Sequence, residues 1–362
     1  MAGGHSVGID ALRGLAVLLV WCHHLFAYTG VEIPLAGRLG GLLGVQLFFV
    51  ISGYLIVRSA TRERLRTYAL RRLLRIYPAY LVAVAAISLL SPRVTLDSVG
   101  EDPFSFVVNL AALSHWWPPA LQRFDVTTVN WTLAVELAWY ASAPALVWVA
   151  SFWRTRHAWS ALAAGALLVS TLWVVAAQAG RLDAIFSAGI AQAGVAPVSD
   201  FMRFAYIVNL APAHLVFFAA GALVLAFEGE ARRLPRWVLV CAIAAFVPLA
   251  ERWNGWLGVN PSFASGIGLT ALFVLWGTGA TPTVNRWLRW LARLGQISYP
   301  VYLIHVPLLL ASVAAFRGLA WGAGWTVGSA VLSTLALSIA LHRLVEQPGI
   351  ALGRALTRTD PT

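Results

Sequence analysis

The 362-residue sequence contains no lysine, only two cysteines and two methionines, and only 15 acidic residues. Charged side chains make up 11% of it, where a water-soluble domain carries about 25%. Cys22 and Cys241 lie in separate apolar segments, and there is no Cys-x-x-Cys or Cys/His cluster. These shortages argue against a disulfide framework and against a metal site. The formal net charge is +11, and all of the basic residues are arginine. A nucleic-acid partner would require clustered basic residues with exposed aromatics, whereas these arginines sit in short loops between apolar runs, so none is expected.

What the chain has instead is apolar residues, 59% of the total before its 30 glycines are added. A soluble fold on a count that includes glycine holds about 45–50%. No soluble interior of this size hides so much apolar surface, and the chain reads as an all-α, multi-pass membrane protein. A helix needs about 20 apolar residues to cross the hydrocarbon. Ten segments approach that: 11–29, 39–58, 75–91, 131–151, 158–178, 205–227, 236–251, 262–280, 297–316 and 322–344. The segment 236–251 is the shortest and ends at Pro248 and Glu251, while 104–114 is apolar but too short to span. The first run has no basic stretch before it and further spans behind it, so it reads as a retained helix rather than a cleaved signal. One membrane domain over 1–362, with no appended soluble domain, is expected.

Arginine placement orients the chain. Arg58, Arg62, Arg64, Arg66, Arg71, Arg72 and Arg75 follow the second span, and alternate loops onward carry the same excess. In all, 18 arginines fall on one side and seven on the other, with Arg13 at the mouth of the first span. The expectation is that both termini are cytoplasmic and that the long loops 92–130 and 179–204 face outward.

Ionisable side chains at membrane depth are costly and are therefore functional candidates. Arg13 and His24 are eleven residues apart, three helical turns plus about 20°, so they share a face about 16 Å apart along the axis. His23 points about 100° away. Glu136, five residues into the fourth span from outside, matches His24 in depth, as does Gln46 in the second. A carboxylate beside a histidine fixes its tautomer and stabilises the imidazolium, as general-base catalysis requires. Glu136 also suits an interhelical tie or a proton relay, and His305, in mid-span, suits either a cavity wall or a backbone hydrogen bond. Arg72 and Arg75, at i and i+3, share a helix face at the cytoplasmic boundary. Their guanidinium forks suit phosphate oxygens, although, taken alone, the pair is better accounted for by a positive-inside signal or anionic lipid. A phosphate grip with a base about 16 Å deeper fits a nucleotide-like donor with a pantetheine-length arm.

Several motifs carry a family resemblance. Asp10-Ala11-Leu12-Arg13-Gly14-Leu15-Ala16 leading to His24 resembles the Arg-x10-His signature of acyltransferase family 3, membrane proteins that O-acylate cell-surface glycans, lipid-linked glycans and some antibiotics. Gly44-Val45-Gln46-Leu47-Phe48-Phe49-Val50-Ile51-Ser52-Gly53-Tyr54-Leu55-Ile56 resembles that family's second-span motif, and Arg72-Leu73-Leu74-Arg75-Ile76-Tyr77-Pro78 its Arg-x-x-Arg segment. Asn130-Trp131-Thr132-Leu133-Ala134-Val135-Glu136 is similar to its Trp-Ser/Thr-Leu-x-x-Glu motif. Ile297-Ser298-Tyr299-Pro300-Val301-Tyr302-Leu303-Ile304-His305 and Arg343-Leu344-Val345-Glu346-Gln347-Pro348 are similar to the last two spans.

The resemblance implies ten spans in a bacterial inner membrane, an acyl-CoA donor (acetyl-CoA foremost) from the cytoplasm, and a saccharide or lipid-linked glycan acceptor on the outer face. A macrolide-like alcohol is an alternative acceptor. No permanently bound cofactor is implied. On these readings His24, as a base towards the acceptor or as a nucleophile that briefly carries the acyl group, and Glu136 would be catalytic; Arg13, Arg72, Arg75 and Tyr77 would bind the donor; Gln46, Ser52, Trp131, Tyr302 and His305 would line or support the cavity. Many relatives have Asp where Gln46 stands, and Gln carries no charge. Many also carry an outer hydrolase-like domain, so a separate outer-side protein would complete the transfer here. The rival reading is a proton-coupled transporter or a flippase of a lipid-linked sugar.

Overall fold

The computed structural model describes residues 7–91, 94–152, 156–187, 199–252, 262–278, 286–319 and 322–358. Among them there are helices and turns but no strand. The main helices in chain order are α1 (Val7–Thr29), α2 (Ala36–Ala60), α3 (Leu65–Leu90), α4 (Asn130–Phe152), α5 (His157–Gln178), α6 (Ala211–Ala226), α7 (Arg236–Phe246), α8 (Phe263–Gly277), α9 (Arg286–Gln296), α10 (Ser298–Phe316), α11 (Gly322–Leu341) and α12 (Gln347–Leu356). Eight helical stretches are long and apolar enough to cross a membrane, and α7 and α8 are shorter apolar helices. The protein is an all-α, polytopic membrane protein.

The differences from the expected spans have physical causes. α3 starts at Leu65, ten residues before the expected boundary, because its Arg- and Leu-rich opening has good helix formers and no breaker before Pro78. The expected seventh span is a helix only to Phe246, with Leu249–Arg252 continuing beyond Pro248. The sixth is interrupted after the short helix Asp200–Val208. Between the eighth and ninth spans the chain forms an amphipathic helix, α9, where an apolar-run criterion finds only a loop. After α11 a π turn, His342–Glu346, leads into α12. Arg93, Arg154, residues 279–280 of the eighth expected span and 188–198 of the second outer loop lie outside the described residues.

The helices pack as two units. The first comprises Met1–Arg62, Trp139–Trp173 and Pro212–Ser298, and the second Glu63–Ala138, Val174–Ala211 and Tyr299–Thr362. In the first, α1 packs against α2, α8 and α9. In a lipid-facing protein little hydrophobic force separates helix from lipid, so small residues that let backbones approach drive the packing. Gly40 and Gly44 of α2 face the Leu19 and Ala16 carbonyls of α1, where any Cβ would collide with backbone. The contact with α9 is reciprocal: Gly14 lies against the Leu291 carbonyl, and Gly295 against the Asp10 carbonyl. Farther along, the Ser170 hydroxyl of α5 donates to the Pro212 carbonyl at 2.8 Å.

In the second unit, α3 packs against the π turn and α12. Gly349 of α12 meets the Leu74 carbonyl, and the Arg71 Nε donates to Thr357 Oγ1 at 2.9 Å. Two tyrosines of α3 hold the loop that follows it: Tyr77 donates to the Ala111 carbonyl at 2.9 Å and Tyr80 to the Asn109 carbonyl at 2.5 Å. In that loop His115 is buried, with Nε2 3.0 Å from the Tyr206 carbonyl and its ring beside Tyr206 and Trp131. Its Nδ1 has no hydrogen-bond partner among the described residues. Burial pushes the imidazole down to about 4, against which the Tyr206 hydrogen bond acts only partly.

Gly14→Leu or Gly295→Leu drives a side chain into the facing backbone and should cost about 1–3 kcal/mol or more, lowering the melting temperature in detergent. Gly165→Ala, where a Cβ meets open space, should be neutral or slightly stabilising. His115 is protonated below about 6.5 when its loop opens but only below about 4 when the loop is packed. Its packing is therefore fully stable above about pH 6.5 and weakens as the pH falls toward 4, by on the order of 3 kcal/mol. Hydrogen exchange of residues 109–117 should accelerate across that window, and His115→Gln should flatten the dependence.

Candidate active site

α1 is unbroken from Val7 to Thr29, so the eleven-residue separation of Arg13 and His24 is kept on one helix face, about 16 Å along its axis. Arg13 is 16% exposed and 4.0 Å from Asp10, one turn earlier, itself buried at the contact with α9. His24 is half-buried, with Nδ1 3.0 Å from the Val20 carbonyl. A carbonyl oxygen only accepts, so Nδ1 carries the proton and, in the neutral ring, Nε2 carries the basic lone pair. Tyr28 stacks on the His24 ring at 6.2 Å, and His23 meets it edge-on at 5.4 Å. His23 is turned to a separate task, with Nδ1 2.8 Å from the Gly37 carbonyl.

The first unit also contains Gln46 and Ser52, both on α2. Gln46 is fully buried, its Oε1 2.7 Å from the Ser265 hydroxyl of α8. Its Nε2 has no hydrogen-bond partner among the described residues. An uncharged amide is what this depth tolerates most easily, since a lone carboxylate would need a counter-charge or a proton. Ser52 is half-buried six residues farther along.

The second unit contains the other candidates. Arg72 and Arg75 are half-buried on α3, and the Arg72 guanidinium lies 6.0 Å from the Tyr68 ring centre. Neighbouring Arg71 is instead consumed structurally, paired with Glu63 at 3.0 Å and with Thr357. The Tyr77 hydroxyl, expected to touch the donor, is engaged by the Ala111 carbonyl. Glu136 sits one turn beyond Thr132 on the same face of α4, and Thr132 is hydrogen-bonded to the Tyr302 hydroxyl at 2.7 Å. The Glu136 carboxylate lies within electrostatic reach of that hydroxyl. His305 is fully buried, and its Nδ1 donates within its own helix to the Tyr302 and Val301 carbonyls, at 2.8 and 3.1 Å. Of its two sequence readings, the backbone hydrogen bond is the one observed. His24 and Glu136 fall in different packing units.

A polar network that sequence reasoning did not assign holds the start of α4. Asn130 donates to the Tyr80 hydroxyl at 3.3 Å and its Oδ1 lies 2.7 Å from the Thr127 hydroxyl. Asp125 Oδ1 accepts from the backbone N–H groups of Thr127 and Thr128, at 3.1 and 3.0 Å. Thr128 has a φ of +61°, a left-handed conformation that a β-branched residue adopts only where its surroundings impose it. Trp131, on the first turn of α4, lies 6.4 Å from the His115 ring. The one signal for this network was the density of Asp, Asn and Thr immediately before an apolar run. Among the described residues no group of three or more His, Cys, Asp or Glu is arranged to hold a metal ion.

An acyltransferase-domain family model matches residues 6–343. Nodulation protein 10 of Rhizobium leguminosarum bv. viciae is 26% identical over 98% of this chain and 96% of its own length. A Komagataeibacter xylinus protein described as a membrane-bound transacylase, BcsY, is 29% identical over 94% of this chain and 82% of its own length. A Staphylococcus aureus protein described as an O-acetyltransferase is 29% identical over a shorter stretch, 39% of this chain and 24% of that protein. No solved structure matches the chain. The transporter reading gives way, and the chain belongs to acyltransferase family 3 as an integral-membrane O-acyltransferase.

Proposed function

We propose that the protein moves an acyl group, acetyl foremost, from cytoplasmic acyl-CoA to a saccharide hydroxyl at the outer face of a bacterial inner membrane. The observation that carries this reading is the His24 ring, its Nδ1 tied to the Val20 carbonyl and its Nε2 basic, on the same helix face as Arg13. The bacterial sources of the relatives, and the one described as an O-acetyltransferase, support the compartment and the acetyl group.

Arg13, Arg72 and Arg75 bind donor phosphates, as planar, permanently charged forks do well at a partly dehydrated mouth. The pantetheine arm carries the thioester to the depth of His24. Nε2 takes the proton of the acceptor hydroxyl as its oxygen bonds to the thioester carbonyl carbon. The C–S bond then breaks, and the CoA sulfur leaves with the proton returned by the imidazolium. Glu136 belongs to the same reading as the second catalytic group, and within its own unit Thr132 with Tyr302 holds the face of α4 that carries it. Gln46 contributes hydrogen bonding alone.

His24→Ala, at normal expression, should lower acylation of the surface glycan by about 10²–10⁴-fold. Retained acylation in that variant would overturn the reading. Arg75→Gln or Arg72→Gln should raise the KM for acetyl-CoA by about tenfold or more while moving kcat little, because each removes charge-assisted hydrogen bonds to the donor's unreacting end. Steady-state kinetics in detergent or nanodiscs check the split.

A further inference from the structure

α9 is a helix with three distinct sides. Leu288, Leu291, Ala292 and Gly295, at i, i+3, i+4 and i+7, are its less exposed side, and Leu291 and Gly295 meet α1 through the reciprocal glycine contact. Arg286, Arg289 and Arg293 lie together on a second side, within about 60° of arc, and all three are exposed. Trp287 and Trp290 form the third, flanking the inward side, and are 75% and 49% exposed. None of the three arginines has an acidic partner among the described residues, although the chain elsewhere pairs Arg38, Arg71, Arg156, Arg203 and Arg232. Arginines are at home on any water-facing surface, but two exposed tryptophans beside them on one short helix are not.

A bilayer surface accounts for both outer sides at once. Indole rings settle at the headgroup level, where an apolar body meets a wet edge, and guanidinium groups one row away reach phosphate oxygens. The arginine excess places this end of the chain on the cytoplasmic side, whose leaflet carries anionic lipid. The row from Arg286 to Arg293 is about 10 Å long, enough to meet separate headgroups side by side.

We infer that α9 is a binding site for anionic phospholipid headgroups of the cytoplasmic leaflet, with Arg286, Arg289 and Arg293 on the phosphates and Trp287 and Trp290 in the interface. It occupies a surface of the helix that grips α1 beside Arg13, yet takes no part in the transfer itself.

The test uses the full-length protein in detergent, titrated with phosphatidylglycerol or with phosphatidylcholine and read by native mass spectrometry. The wild type should retain phosphatidylglycerol preferentially. The Arg286→Gln, Arg289→Gln, Arg293→Gln triple variant should lose that preference, with an affinity on the order of a hundredfold weaker, since each basic residue at an anionic surface is worth about fivefold. The corresponding triple Arg→Lys variant should keep most of it, and Trp287→Ala with Trp290→Ala should weaken binding of both lipids. Equal phosphatidylglycerol retention by the wild type and a triple-Gln variant with a normal melting temperature would overturn the inference. So would a raised KM for acetyl-CoA without loss of lipid, which would assign the arginines to the donor instead.

Discussion

Everything chemical in this protein depends on a polar backbone having to satisfy itself inside hydrocarbon. A continuous helix does so along its length, leaving only the side chains to be accounted for. α1 is such a helix, and it therefore carries an arginine and a histidine at a fixed separation without any tertiary contact setting that separation. Two further helices hold it by backbone approach, at Gly40 and Gly44 on α2 and at Gly14 and Gly295 with α9. The grip is steric, so it does not require polar groups that would compete with the site for hydrogen bonds.

The same requirement sorts the histidines. His24, His305 and His115 each have one ring nitrogen against a backbone carbonyl, which fixes the tautomer and lowers the cost of burial. Only surroundings separate them afterward. His305 and His115 are sealed, at 0% and 4% exposure, whereas His24 is half-open on a helix that also carries Arg13. A base must meet its substrate, so access rather than hydrogen bonding distinguishes the candidate from the packing residues. Arg71 and Arg75 contrast in the same way: four residues apart on α3, one is tied to Glu63 and Thr357, while the other has no ion-pair partner among the described residues.

How much of this was legible follows from the range of each interaction. The first five spans could be read within a few residues, apart from the start of α3, because apolar length is a local property. The early start of α3 was hidden because its opening turns are arginine-rich, and hydropathy counts charge without asking whether the backbone is helical. α9 was hidden because an amphipathic helix has no apolar run at all. Within the site, Arg13 and His24 were legible since one helix relates them. The network from Asn130 through Tyr80 to Asn109 joins residues 50 and 29 positions apart, with no periodicity to announce it. Tyr77 shows how little a motif says about tertiary contacts: adjacency in sequence to Arg72 and Arg75 did not reveal that its hydroxyl is held by the loop after α3.

The strained start of α4 has a consequence for how the carboxylate is held. Asp125 gathers the backbone N–H groups before the helix, Thr128 adopts a left-handed conformation, and Asn130 is fixed to Tyr80. The Thr128 backbone is a cost that the hydrogen bonds around it offset, and together they hold the first turn of α4 in one rotation about its axis. Rotation sets which way a given face points, and here the face concerned carries Thr132 and Glu136, with Tyr302 hydrogen-bonded to the first. A helix of 23 residues in lipid has few other features to set its rotation, since its apolar sides are nearly equivalent to the solvent around them. The polar knot at its first turn thus does for α4 what glycine contacts do for α1. It directs one ionisable side chain without placing a second charge in the membrane.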